Sequence, residues 1–175
     1  MTCDEIGDSK RKEKRMDENR SATCFFTGHR VIQSDRMTAV TSAIDGTVEA
    51  LVAEGITNFV CGGAVGFDTI AACRVIVAKK RHPRISFLLV LPCRDQTAKW
   101  RSCYDIALYQ RIKGLADGII YATDVYDSDC MYLRNRMMAD MSSVCVAYYN
   151  GGSGGTAYTV RYATESGIRL INLYE

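Results

Sequence analysis

Short apolar runs alternate with longer segments of helical periodicity along most of this 175-residue chain. The runs are continuously apolar, as expected of strands that helices cover on both faces. We therefore expect an α/β fold: a three-layer, Rossmann-like, doubly wound and mainly parallel sheet of about six strands. The predicted strands are residues 23–26, 57–61, 85–91, 118–121, 144–149 and 168–173. The predicted helices are residues 36–54, 67–80, 99–113, 129–141 and 156–167.

Residues 1–20 differ in composition from the rest of the chain. They hold six acidic and six basic side chains and few apolar ones, which is typical of a disordered tail or a short solvated helix. We interpret residues 1–20 as such a tail and residues 21–175 as a single domain, whose length suits one core. A nucleic-acid-binding arm is the alternative for the tail, but its charges cancel.

The remaining residues are close to neutral, with 16 Lys and Arg against 14 Asp and Glu. This balance gives no general case for nucleic acid or an anionic membrane as a partner. No apolar run approaches the roughly 18 residues of a membrane span, and no signal-peptide pattern opens the chain. We therefore expect a cytoplasmic protein without a membrane partner, and a homodimer because that assembly is common.

The eight cysteines form no Cys-x-x-Cys pair, and Cys24, Cys61 and Cys145 lie inside predicted strands. Such cysteines are usually small buried hydrophobes in a reducing compartment. Because the whole chain has only two histidines, we expect no metal site.

The carboxyl ends of the predicted strands carry the candidate ligand-binding residues, since open α/β sheets bind ligands at that edge. Residues 151–156 hold four glycines between a strand and a helix, where backbone N–H groups and the helix dipole favour anions. This pattern predicts a phosphate site, with a plain polar turn as the alternative. The residues concerned are Gly152, Ser153, Gly154, Gly155 and Thr156.

The first predicted strand is followed by Thr27, Gly28, His29 and Arg30. Arginine suits a phosphate or carboxylate because its fork donates two parallel hydrogen bonds. His29 could act as an acid or base, but we expect it to orient a ligand by hydrogen bonding. An ordinary surface turn is the alternative for these four residues.

A second glycine loop follows the second predicted strand and leads to Asp68 in the first helical turn. Its small residues predict the close approach of a ligand, although their spacing is not that of the dinucleotide fingerprint. Asp68 either matches the helix dipole or bonds a ribose hydroxyl or an attacking water. The small residues are Gly62, Gly63, Ala64 and Gly66.

The predicted helix 129–141, with Ser128 as its cap, places Arg134 in a stripe of methionines. A buried charge needs a partner, so Arg134 either pairs with a structural carboxylate or reaches the strand-end crevice. We prefer the crevice and expect Arg136, on the opposite side, to be solvated. Trp100 either stacks on a base or packs, and we favour packing. The methionines are Met131, Met138 and Met141.

Taken in order, these motifs resemble the SLOG superfamily, which joins the DNA-processing protein DprA (Smf) to the LOG cytokinin-activating enzymes. The likeness runs from about residue 23 to the end and is greatest to the small bacterial branch typified by YpsA. The residues that carry it are 27–30, 62–68, 131–136 (a range that includes Asn135) and 151–156. The resemblance implies a three-layer nucleotide-binding fold and a ligand of nucleotide or NAD/ADP-ribose type, with no certain cofactor.

LOG-type enzymes release a base from a nucleoside monophosphate, using an arginine in a Met-x-x-Arg helix and a glutamate three residues after the Gly-Thr of their glycine loop. Arg134 matches the arginine, but Thr159 occupies the glutamate position. The resemblance therefore implies hydrolysis only if Asp68 or Glu165 supplies the carboxylate. DprA-type relatives bind single-stranded DNA, which the near-neutral charge does not favour.

Three functions are therefore considered. The first, which we expect, is binding or sensing of a nucleotide-derived small molecule at the strand-end crevice. The second is a LOG-like phosphoribohydrolase or N-glycosidase activity, in which Asp68 and Arg134 are the candidate catalytic residues. The third is DprA-like binding of single-stranded DNA.

Overall fold

The structure, a computed structural model, describes residues 17–174. Six strands form one sheet: β1 (Thr23–Gly28), β2 (Asn58–Cys61), β3 (Ser86–Leu91), β4 (Gly118–Tyr121), β5 (Val144–Tyr148) and β6 (Arg169–Asn172). Five longer helices connect them: α1 (Met37–Ala53), α2 (Phe67–Lys79), α3 (Cys103–Gly114), α4 (Cys130–Asp140) and α5 (Gly155–Glu165). A 3-10 turn at Ser34–Arg36 leads into α1, and residues 17–21 are helical.

The strands lie in the order β4-β3-β2-β1-β5-β6, and every neighbouring pair is parallel. The chain moves outward from β1 to β4 and then crosses back to place β5 on the other side of β1. The strand order therefore reverses between β1 and β5, which is where doubly wound sheets bind ligands at the carboxyl edge. The predicted three-layer, doubly wound fold is confirmed, with a sheet that is parallel throughout.

Two hydrophobic clusters cover the two faces of the sheet. In β1, Phe26 packs against the cluster of α1, α2 and α3, whereas Phe25 faces α4 and α5, because successive side chains of a strand point to opposite faces. Cys24, Cys61 and Cys145 belong to these clusters, and burial raises the pKa of each thiol. They pack as the buried hydrophobes that the sequence predicted.

Two helix starts differ from the sequence prediction for local reasons. α3 begins at Cys103 rather than at residue 99, because residues 94–99 form turns and the Ser102 hydroxyl accepts a first-turn N–H at 3.1 Å. α4 begins at Cys130, and the capping side chain is Asp127 rather than Ser128. One Asp127 oxygen accepts two backbone N–H groups, at 2.8 and 2.6 Å.

Of the predicted charged tail, residues 1–16 lie outside the described part of the chain. Residues 17–20 open the short helical segment, where the Ser21 hydroxyl donates to the carbonyl of Glu18 at 2.8 Å. No helix between residues 17 and 174 is long and apolar enough to cross a membrane.

Candidate functional site

A cavity of about 280 Å³, here called the strand-end cavity, opens at the carboxyl ends of β1 and β5, beside α4 and the start of α5. The structure brings most of the predicted ligand-binding residues into its wall: Thr27, Gly28, His29, Arg30, Ala64, Asp68, Arg134, Asn135, Ser153, Gly155 and Thr156. The predicted residues that do not line it are all glycines: Gly62, Gly63, Gly66, Gly152 and Gly154. These glycines lie outside the cavity wall for different reasons in the two glycine loops, residues 62–68 and residues 151–156.

Residues 151–156, the open loop, lead into α5, and no described side chain caps the helix there. Gly154 has a φ of 117°, which favours glycine, and α5 then begins at Gly155. A Cβ added at Gly155 would have no described atom within 4 Å. The first N–H groups of a helix have no partner inside the helix, so this end offers an anion both donors and the positive end of the dipole.

Gly152 is held by its own neighbours in the open loop. Its N–H donates to Oδ1 of Asn150 at 3.0 Å, and its carbonyl accepts from the Tyr149 hydroxyl at 2.8 Å. Gly152 therefore shapes the loop, and the backbone at the cavity comes from Ser153, Gly155 and Thr156.

Residues 62–68, the filled loop, contact the protein's own side chains. The N–H groups of Gly62 and Ala64 donate to Oδ2 of Asp68 at 3.1 and 3.4 Å. A Cβ added at Gly62 would lie 2.9 Å from that same oxygen and would collide with the guanidinium of Arg134. The missing side chain at Gly62 therefore makes room for Asp68 and Arg134.

The other two glycines of the filled loop are packed in the same way. A Cβ at Gly63 would lie 2.7 Å from Cδ2 of Leu91, and one at Gly66 would lie 2.5 Å from the carbonyl carbon of Arg30. Both glycines have positive φ, 68° and 81°. The protein's own atoms therefore occupy the space beside these glycines, and Ala64 and Asp68 are the residues of the filled loop that line the cavity. That a ligand contacts this loop stays a prediction.

Asp68 and Arg134 are buried charges in the cavity wall, with 5% and 6% of their surface exposed. Burial raises the pKa of the Asp68 carboxyl, and the charge of Arg134 opposes that rise. Burial lowers the pKa of the Arg134 guanidinium, and the charge of Asp68 opposes that fall. Each charge therefore offsets part of the cost of burying the other.

The Arg134 guanidinium retains capacity to donate into the cavity. Its Nε donates to Oδ1 of Asn135 at 2.7 Å, and its Nη1 donates to the carbonyl of Gly62. The one hydrogen-bond acceptor of its Nη2 among the described residues is Sδ of Met131, at 3.9 Å, and sulfur is a weak acceptor. Arg134 thus reaches the crevice, as predicted, with Asp68 as a nearby carboxylate.

His29 ties the end of β1 to the chain after β5. Its Nε2 accepts the N–H of Asn150 at 3.1 Å, and its carbonyl accepts the N–H of Phe67 at 3.1 Å. The first bond fixes the orientation of the His29 ring in the cavity wall. Its predicted role in orienting a ligand stays a prediction.

Arg30 is an exposed cation in the cavity wall. No described residue pairs with its guanidinium, but its charge lowers the pKa of both Asp68 and Arg134. Such an arginine is suited to an incoming phosphate or carboxylate.

α5 carries no carboxylate at the LOG-type glutamate position. Thr159 is buried, and its hydroxyl donates to the carbonyl of Gly155 at 2.8 Å. Glu165 is the last residue of α5, so it lies roughly 15 Å from Gly155 at 1.5 Å per residue. This distance excludes Glu165 as a substitute and leaves Asp68 as the carboxylate in the described cavity wall.

Met131 and Met138 also line the cavity, although we predicted no ligand contact for them. The sequence could have indicated that these methionines line the cavity, because both lie in the same helical stripe as Arg134. Trp100 packs edge-on against Tyr109, with ring centroids 5.4 Å apart, so the preference for packing is confirmed. No cluster of three or more potential metal-ligating side chains occurs within residues 17–174.

Several known proteins are similar to this chain. Residues 25–169 match the YspA SLOG family (YpsA). The uncharacterized SPbeta prophage-derived protein YoqJ of Bacillus subtilis (strain 168) is 30% identical over 130 residues, which cover 67% of this chain and 75% of YoqJ. The family match therefore spans most of the chain.

Two solved structures of DNA processing protein A have a similar fold. The Helicobacter pylori protein, described by its single-stranded DNA binding mode, has a TM-score of 0.64 at 17% identity, over 90% of this chain and 67% of that one. The Streptococcus pneumoniae protein has a TM-score of 0.63 at 17% identity, over 89% of this chain and 51% of that one. At such identities the likeness concerns the fold alone. On the family match and the relative YoqJ, the chain belongs to the YpsA family of SLOG proteins.

Proposed function

We propose that the strand-end cavity binds a nucleotide-derived small molecule, of nucleotide or NAD/ADP-ribose type. The observation that carries the proposal is the uncapped start of α5 in the same cavity wall as two arginines. Its place beside the β1–β5 reversal supports the proposal, because doubly wound sheets bind ligands there.

The phosphate would lie against the N–H groups of Gly155 and Thr156. A helix start carries a partial positive charge of roughly half a unit, and Arg30 and Arg134 add full charges to the same wall. This excess of positive charge favours an anionic group at the α5 side of the cavity.

Asp68 adds an acceptor to this otherwise cationic wall. Its Oδ2 is used by the filled loop, whereas no described residue donates to Oδ1. A ribose hydroxyl would satisfy that oxygen, whereas a bare phosphate would be repelled by it. The combination therefore favours a sugar phosphate unit over inorganic phosphate.

Calorimetric titration with AMP and NAD, with ligand-induced thermal stabilisation as the second readout, tests this function in the Gly155→Asp variant. The new carboxylate repels a phosphate, but the helix start tolerates an acid and no described atom obstructs it. We expect the fold to survive and ligand binding to be lost.

Gly46→Asp is the matched control, because Gly46 is exposed in α1 and has equal space around it. This variant adds the same charge far from the phosphate site and should bind as the wild type does. Wild-type protein that binds neither ligand, or Gly155→Asp protein that binds like wild type, would contradict the proposal.

The buried carboxylate of Asp68 favours a second candidate, hydrolysis of an N-glycosidic bond. An oxocarbenium-like transition state needs a nearby carboxylate to stabilise it or to orient water. Incubation with AMP and NAD at high protein concentration, followed by chromatography for free base, tests this activity. Release of base that Asp68→Asn abolishes would support it, and binding without release of base would exclude it for these substrates.

Binding of single-stranded DNA needs its own assay. The expectation that the near-neutral charge disfavours nucleic acid as a partner is not supported by the comparisons, because the Helicobacter pylori neighbour binds single-stranded DNA. Fluorescence anisotropy with a labelled single-stranded oligonucleotide at low and high salt answers the question. Affinity that falls steeply with salt would support DNA binding, and no signal at low salt would exclude it.

A further inference from the structure

His29 is the first member of a chain of hydrogen bonds that ends in the open loop. Its Nε2 accepts the N–H of Asn150 at 3.1 Å, and Oδ1 of Asn150 in turn accepts the N–H of Gly152 at 3.0 Å. The carbonyl of Gly152 accepts a further hydrogen bond from the Tyr149 hydroxyl at 2.8 Å. The histidine at the end of β1 is therefore tied, through Asn150, to the first residues of the open loop.

The backbone held in this way leads directly to the proposed phosphate site. Gly152 is followed by Ser153, which lines the strand-end cavity, and α5 begins at Gly155. A Cβ added at Gly151 or Gly154 would have no described atom within 4 Å, so packing does not hold these residues in place. The conformation of the loop between β5 and α5 therefore depends on its few hydrogen bonds.

The bond between His29 and Asn150 exists only while Nε2 of His29 carries no proton. A backbone N–H can only donate, so the ring nitrogen acts here as the acceptor of a neutral imidazole. A second proton on the ring would turn Nε2 into a donor that faces another donor. Histidine is the side chain that ordinarily gains this proton between about pH 8 and about pH 5. Acid should therefore break the chain of hydrogen bonds at its first member.

The charged and titratable groups around the His29 ring come from several elements of the fold. Arginines and tyrosines ordinarily keep one charge state between about pH 5 and about pH 8, whereas burial raises the pKa of the Asp68 carboxyl. An effect of Asp68 must therefore be separated from that of His29, which a substitution at position 29 alone achieves. The groups around the ring are Arg30, Arg36, Asp68, Tyr148, Tyr149 and Tyr174.

We propose that His29 is a positioning residue for the open loop and that acid weakens ligand binding by protonating its ring. The inference rests on the proposed function, because the open loop is part of the proposed phosphate site, and it adds regulation of that site by pH. Charge attraction alone predicts the reverse, because a new positive charge in the cavity wall would strengthen the binding of an anion. The direction of the pH dependence therefore separates the positioning role from charge attraction.

The first measurement needs no ligand. The backbone amide chemical shifts of isotope-labelled protein are followed from about pH 8 to about pH 5.5, together with the ring signals of His29. The amides of Asn150 and Gly152 should change with the His29 ring in the wild type. They should change little in His29→Gln, because the glutamine oxygen can accept the same bond and gains no proton in this range.

His82→Gln is the matched control, because His82 is the other histidine of the chain. Its Nε2 lies 2.7 Å from Oε2 of Glu49, and it does not line the strand-end cavity. The Gly152 amide should follow pH in this variant as it does in the wild type.

The second measurement is calorimetric titration with AMP and NAD at about pH 8 and about pH 5.5. Because a phosphate monoester itself gains a proton near about pH 6, the affinity of the wild type is divided by that of His29→Gln, which cancels the ionisation of the ligand. This division also cancels any effect of Asp68, which both proteins contain. The ratio should fall about three- to tenfold between the two pH values, because one hydrogen bond is lost.

Two further variants complete the titration. His29→Phe, which keeps a ring but has no acceptor, should bind more weakly than His29→Gln at about pH 8. His82→Gln should show the same change with pH as the wild type.

Two results overturn this inference while leaving the proposed function standing. One is a Gly152 amide that does not follow the His29 ring. The other is a ratio of wild-type to His29→Gln affinity that stays constant or rises in acid. A wild type that binds neither ligand contradicts the proposed function, and the measurement without ligand then still decides whether His29 positions the open loop.

Discussion

The two glycine loops of this chain look alike in sequence and differ in structure. In the filled loop, a Cβ at Gly62, Gly63 or Gly66 would collide with the protein's own atoms. In the open loop, no described atom lies within 4 Å of a Cβ at Gly154 or Gly155. Glycine thus serves internal packing in one loop and leaves space in the other, and only the neighbouring residues decide which.

The two loops contribute to the candidate site in different ways. The filled loop holds the carboxylate of Asp68 and the guanidinium of Arg134 in the cavity wall. The open loop brings the uncapped backbone of α5 to the same cavity. Substitution of the glycines should therefore affect stability in the filled loop and ligand affinity in the open loop.

Gly66→Ala is expected to have the largest effect. Its φ of 81° costs a non-glycine residue about 1–2 kcal/mol, and crowding against the Arg30 backbone adds about 1–3 kcal/mol. We expect the free energy of unfolding to fall by about 2–5 kcal/mol in chemical denaturation. Gly155→Ala, the counterpart in the open loop, should change it by less than about 0.5 kcal/mol. Equal losses in the two variants would contradict the contrast between the loops.

Asp68, in the filled loop, should make a smaller contribution to the free energy of unfolding, and this contribution depends on pH. Because burial raises the pKa of Asp68 above its ordinary 3.8, the folded protein binds this proton more tightly than the unfolded chain does. The contribution of Asp68 to stability is therefore full below pH 3.8 and is lost as pH rises through the raised pKa.

Urea denaturation from about pH 3 to about pH 8 measures this contribution as the difference between wild type and Asp68→Asn. The stability of wild type relative to the variant should decline with pH and then level off. A relative stability that rises with pH would mean that the N–H groups and Arg134 outweigh burial.

Much of the fold could be predicted because its signals are local. Residues 144–149 form a continuous apolar run, and few sheets other than parallel ones bury a strand on both faces. Helical periodicity alone places Arg134 among the methionines, and the glycine loop that follows this helix in the sequence favoured the crevice for its side chain.

The sequence could not predict that the protein's own side chains occupy the space beside residues 62–68. The guanidinium beside Gly62 comes from Arg134, a residue 72 positions further along the chain. The homodimer and the cytoplasmic location remain predictions, because the structure of one chain tests neither.

The central claim is that a ligand's phosphate contacts the open loop and not the filled loop. Titration of isotope-labelled protein with AMP, followed through backbone amide chemical shifts, compares the two loops in one experiment. We predict the largest amide shifts at Gly155 and Thr156, with Gly62 and Gly63 little changed. The largest shifts at Gly62 and Gly63, with Gly155 and Thr156 unchanged, would contradict the account.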